Sequence, residues 1–151
     1  MATTVTFKAQ TTENTQVFVN FEQGKALAEI TQEIVDVTEV GAVEQSREIK
    51  KKGTVAGNEY SVAGKLTNSD IDVKFLLNSD TSALYSTFRS AINDPKKAAV
   101  SLKILYPWGE TVVGNYAIAK VSMPAATDNP EIVEVTVSLS PSGKIAVTPT
   151  K

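Results

Sequence analysis

The sequence predicts a mainly β domain: a β-sandwich or barrel of about seven or eight strands, with one short α-helix flanking it. Three observations predict it. Segments 69–78, 98–107 and 131–140 alternate apolar and polar residues with the period of a half-buried strand. Turn-forming clusters such as TNSD (67–70), PWGE (107–110) and PSGK (141–144) punctuate them. Residues 79–95, SDTSALYSTFRSAINDP, carry instead an apolar stripe at helical spacing.

In chain order, residues 1–15 are rich in Thr, Gln and Asn, with Val5 and Phe7 as their apolar anchors. They read as a mobile N-terminal arm that orders against something else. QVFVNFE (16–22) alternates through Val17, Val19 and Phe21, and EQGK turns the chain. Residues 27–40, LAEITQEIVDVTEV, fit a helix through Leu27, Ile30 and Ile34, but Val35, Val37 and the threonines favour a strand, which is the reading taken. Residues 41–58 show no sustained period and hold the densest charge, so they read as a long charged loop within one domain spanning 1–151. EYSVAGKL (59–66) returns to strand character.

Ile71, Val73, Phe75 and Leu77 then mark one face of a strand, opposite Asp70, Asp72 and Lys74. Val100, Leu102, Ile104 and Tyr106 repeat the pattern, and PWGE joins that strand to TVVGNYAIAKVSM (111–123) as a hairpin. PAATDNP (124–130) breaks the chain, Val133, Val135, Val137 and Leu139 mark the next strand, and IAVTPT (145–150) adds a short last one. In the helix, Asp80 is the expected N-cap, Leu84, Phe88, Ala91 and Ile92 form the stripe, and Asn93-Asp94-Pro95 ends it. Three turns are marginal alone in water, so packing must hold them, and the helix reads as a lid on the sandwich.

Composition narrows function by exclusion. The chain has 151 residues, a net charge of −2, no Cys and no His. Thiol nucleophiles, disulfides, thiolate metal sites and imidazole bases are therefore excluded, and with them a Ser–His–Asp triad. The near-zero charge argues against a general affinity for nucleic acid. No run approaches the length of a membrane span, and the N-terminus does not read as a signal peptide. No cofactor and no enzymatic activity are expected.

The remaining polar groups admit weak readings. Asp70 and Asp72 on one strand, with Glu131 and Glu134 on another, form a carboxylate set, but acid–base chemistry needs one carboxyl in an apolar pocket. Arg47, Lys50, Lys51 and Lys52, interspersed with Glu44 and Glu48, make a basic patch without aromatic interleaving. It reads as a solvated loop or as a surface docking on a neighbouring copy. Tyr106 and Trp108 beside the PWGE turn suit core packing or subunit contact better than sugar binding.

The order of pieces from about Asp70 to Ser142 resembles the C-terminal part of the major tail tube proteins of long, non-contractile-tailed phages of the lambda type. The pieces are an alternating strand, a capped short helix, a hairpin whose turn reads YPWGE, a Pro-containing break, and a final V-x-V-x-L strand. Upstream, a strand pair separated by a long charged loop matches at residues 41–58. The resemblance implies a virion tail subunit assembled in the host cytoplasm, without the additional domain that some members carry after this core. Six copies form a ring, and rings stack into a hollow conduit for DNA during ejection. Implied partners are further copies, tail-tip initiator and terminator proteins, and a tape-measure protein in the lumen, with DNA passing through unbound.

Such a tube needs a ring interface and a second, non-closing stacking interface. The ring-stacking candidates are Glu44, Arg47, Glu48, Lys50, Lys51 and Lys52. The lumen-facing candidates are Asp70, Asp72 and Glu134, because an evenly basic lining would hold the duplex. A monomeric β-sandwich binding module for carbohydrate or receptor is the alternative reading.

Overall fold

The computed structural model describes residues 13–123, 126, 128 and 132–149. Ten strands and one α-helix follow in order among them: β1 (Gln16–Asn20), β2 (Gln32–Ile34), β3 (Val37–Val40), β4 (Gln45–Gly53), β5 (Glu59–Asn68), β6 (Ile71–Leu76), α1 (Ser82–Ile92), β7 (Ala99–Leu105), β8 (Glu110–Ser122), β9 (Glu134–Pro141) and β10 (Ala146–Pro149). Eight strands make one antiparallel sheet, in the order β2-β1-β7-β8-β9-β6-β3 with β10 on β8; β4 and β5 form a separate two-stranded ribbon.

The sheet curls until its edges approach each other. Its two edge strands, β2 and β3, are joined by Val35 and Asp36 alone, so one corner holds both edges together. Asp36 takes the left-handed conformation (φ 55°), which Asp tolerates better than most residues. Its carbonyl accepts Leu76 N–H at 3.0 Å and its carboxylate accepts the Asn78 amide at 2.7 Å. Strand β8 is long enough to serve three partners. It pairs β7 along one side, while on the other β10 takes its start and β9 its end.

Alternation places one face of every long strand of the curled sheet inside. Val17 and Val19, Ile71, Val73 and Phe75, Val100, Leu102 and Ile104, and Val135, Val137 and Leu139 are all buried in one cluster. Each such side chain contributes roughly 1.5–3 kcal/mol on burial. Leu77, Tyr106 and Ile92 are partly buried against the same cluster. The YPWGE turn joins β7 and β8 as expected, with Tyr106 N–H bonded to Glu110 O at 2.9 Å.

The helix closes this core. Leu84, Phe88 and Ala91 are buried, and the Phe88 ring lies 5.0 Å from Phe21 and 6.3 Å from Phe75. Its cap differs from the expected one: the N-cap is Thr81, and Asp80 is an exposed residue before it. Asn78 organises the turn, its side-chain oxygen accepting Asp80 N–H at 2.8 Å and Thr81 N–H at 3.1 Å. Buried Thr81 in turn donates to Leu76 O at 2.6 Å, tying the helix start to β6.

Two other expectations are corrected. Residues 41–58 are not a loop, because Gln45–Gly53 is strand β4, paired with β5. The missing period has a physical reason: no residue of β4 is buried, so neither face was constrained to be apolar. Residues 27–40 are not one strand but a 3₁₀ turn (Leu27–Glu29) followed by β2 and β3. The stretch of the arm up to residue 12, Glu131 and most of the 124–130 break lie outside the described residues.

Candidate assembly surfaces

Three surfaces stand out, and the first is the β4–β5 ribbon. Its backbone is well ordered by pairing, and its end is closed by Thr54 N–H on Asn58 O at 2.7 Å with Gly57 at φ 90°. The register opposes Lys50 to Val62 and Lys52 to Tyr60, so these four share one face. Ile49, Ala63, Lys51 and Ser61 share the other, where Lys51 and Glu59 approach to 4.0 Å. Every residue from 44 to 63 is exposed, including Ile49, Val55, Tyr60 and Val62. A lone two-stranded ribbon is marginal in water.

The ribbon brings the six basic and acidic candidates together without making them alike. Glu44 sits at its root, where its carbonyl accepts Ser69 N–H and its own N–H donates to the Ser69 hydroxyl, both at 3.0 Å. Arg47 donates to Gly64 O at 3.0 Å where the register shifts. Glu48, Lys50, Lys51 and Lys52 lie further out. Sequence reasoning missed the apolar members, Ile49, Val55, Tyr60 and Val62. The signal available was a Tyr-x-Val alternation, which normally marks a half-buried strand.

The second surface is the outer face of β3, β6, β9 and β8. Here the sequence left adjacency open, and the register settles it: Asp72 opposes Ser138, Lys74 opposes Thr136, and Leu76 opposes Glu134. Asp70, Asp72 and Glu134 therefore share one face. Asp70 accepts from the Ser140 hydroxyl at 2.9 Å, and Glu134 from Thr38 at 2.6 Å. Lys74 sits among the acids and pairs with Glu39 at 3.0 Å; that hydrogen bond and charge raise its pKa above the usual lysine value. Asp70 and Asp72 are exposed rather than set in the apolar pocket that paired-carboxylate acid–base chemistry uses. The face is hydroxyl-rich and mildly acidic, and α1 lies across the sheet from it, against the core.

The third is a groove along the open seam of the sheet. Two cavities of about 620 and 630 Å³ lie side by side, both lined by Val40 and Tyr106. Val43, Trp108 and Val147 continue the apolar lining, with Glu13, Glu39 and Glu110 around it. Tyr106 and Trp108 stack at 4.6 Å and 13°, and the indole N–H reaches Glu110 at 3.3 Å. Burial beside Glu110 raises the Tyr106 pKa.

Among the described residues, no group of three or more His, Cys, Asp or Glu is placed to hold a metal ion. No helix among them is long and apolar enough to cross a membrane.

A curled antiparallel sheet with a helix over its core and a paired-strand arm is a tail-tube-like fold. The chain is similar over nearly all of its length to three such structures. One is the sheath-tube complex of an extracellular contractile injection system, PVC, in its extended state (12% identity, TM-score 0.67, covering 94% of this chain and 93% of that one). Another is the tube-terminating cap of the anti-feeding prophage (11%, 0.66, 99% and 97%). A third is the tail of an empty gene transfer agent particle, refined with C6 symmetry (11%, 0.62, 93% and 99%). No family model and no curated protein matches the sequence.

Proposed function

We propose that the chain is a structural, non-enzymatic subunit of a tail tube, forming six-membered rings that stack into a hollow conduit for DNA. The observation that carries this reading is the likeness of nearly all of the chain to tube and tail structures, one of them six-fold symmetric. The ribbon supplies what a free monomer does not need, and the edges of β2, β3 and β10, unpaired among the described residues, supply backbone for a neighbour to continue. Glu44, Arg47, Glu48, Lys50, Lys51 and Lys52 belong to the stacking contact. The face bearing Asp70, Asp72 and Glu134 lines the lumen, where mildly acidic hydroxyl groups let the duplex slide. A tip initiator, a terminator and a tape-measure protein complete the assembly in the virion.

A lambda-type, sheathless tail is the narrower form of this reading, supported by the YPWGE-containing module in the sequence; the matched structures come from contractile systems and a gene transfer agent alike. Negative-stain electron microscopy of the purified protein, dilute and concentrated, tests the reading. Rings with a central hole, or tubes about 10 nm wide, given subunits of compact-domain size, are the expected result. Featureless monomers at every concentration and in the presence of a preformed tail tip would overturn it.

A further inference from the structure

We propose that the seam groove is the receptor for the β4–β5 ribbon of a second copy of this chain, with Tyr60 and Val62 seated on Val43, Trp108 and Val147. This rests on the tube reading and names the two surfaces of one of its contacts.

Three features of the molecule fit the groove to that occupant. The first is apolar supply and demand. Tyr60 is 62% exposed and Val62 65%, while Trp108 and Val147 remain 40% and 39% exposed in the groove. Bringing the two together removes apolar surface from water on both sides.

The second is charge. Lys50 and Lys52 flank Tyr60 and Val62 on the same face of the ribbon. Glu13, Glu39 and Glu110 line the groove, and no Lys or Arg lines it among the described residues. Glu39 already shares a bond with Lys74, which leaves Glu13 and Glu110 as the nearer targets for the incoming lysines. Such complementarity orients an incoming strand and rejects a like surface.

The third is backbone. β3 is an edge of the main sheet, and β10 pairs β8 alone, so the groove runs between strands with one edge unused among the described residues. An extended ribbon is the shape that such edges accept. The contact is heterologous, ribbon to groove, so each copy still offers an unused groove or an unused ribbon to the next.

The absence of native cysteine makes a cross-linking test clean. Val62→Cys and Val147→Cys proteins are mixed at assembly concentration and oxidised, then imaged and mapped by peptide mass spectrometry. Val62→Cys with Ser90→Cys, on the exposed side of α1, is the control. The expected result is a Val62–Val147 intermolecular bridge in most chains and at least tenfold less in the control. Tubes without that bridge would overturn this contact and leave the tube reading standing. The bridge without rings or tubes would keep the contact and overturn the tube reading. Neither bridge nor tubes would overturn both. A chain carrying both substitutions that closes on itself at high dilution would make the ribbon an intramolecular cover, which also overturns the proposal.

Discussion

The curled sheet and the β4–β5 ribbon are built from the same kind of paired strand, yet they are stabilised in different ways. In the sheet, every long strand gives one face to a common core. In the ribbon, no residue of β4 is buried and hydrogen bonds are almost all that joins it to β5. Backbone pairing offers little net stability beyond what water supplies. The first region is organised around a shared core, whereas the second leaves Ile49, Val55, Tyr60 and Val62 exposed to water.

The largest test of this contrast removes the helix's anchor. Phe88→Ala empties the space between Phe21 and Phe75 and should cost about 3–5 kcal/mol in chemical denaturation, enough to unfold the body. Survival of the ribbon's strand signal after that loss would break the contrast. Next comes Gly41, where the chain leaves β3 for the ribbon. Its N–H bonds Asp72 O at 2.7 Å, and a Cβ there would sit 2.8 Å from Asp72 N. Gly41→Ala should cost about 1–3 kcal/mol by forcing backbone apart, locating the stability boundary at the ribbon's root.

Tyr116 probes the core from within. Its hydroxyl is buried and has no hydrogen-bond partner among the described residues, and burial pushes its pKa up to about 12. Tyr116→Phe should therefore raise stability at neutral pH by about 1 kcal/mol. The sign of the pH effect follows from linkage. The unfolded chain loses this proton near pH 10, the folded one near 12, so stability falls as pH rises through that window. The Phe variant should show a shallower fall in alkaline melting curves.

The smallest effect on folding is expected in the ribbon. Tyr60→Ser with Val62→Ser should change the melting free energy by less than about 0.5 kcal/mol and abolish tubes in micrographs. A large loss of stability would mean that the ribbon is part of the folding unit.

The same division explains what was legible in the sequence. Residues 71–75, 100–104 and 135–139 could be read because one face of each meets the core and the period of two survives. Tyr60 and Val62 copied that period without a core, so β5 was recognised while its exposure was not. In β4 neither face is covered, and the charged run looked like a loop. The three acids on one outer face could be nominated individually, but only the β6–β9 register joins them. At the helix start, Asp80 was the more obvious cap, whereas Thr81 is chosen by its bond to Leu76 O, a contact made by folding.

The pairing of β1 with β7 has a consequence in time. Val17 must find Ile104, far along the chain, before its side of the sheet exists, while β4 and β5 meet across a short turn. Hairpins close in roughly microseconds, and distant pairings wait on slow loop closure. During synthesis β1 emerges first and stays without its β7 partner until β7 has left the ribosome. For much of the time the chain is being made, Val17, Phe18 and Val19 therefore have β2 as their one available strand partner and lack the cover of β7.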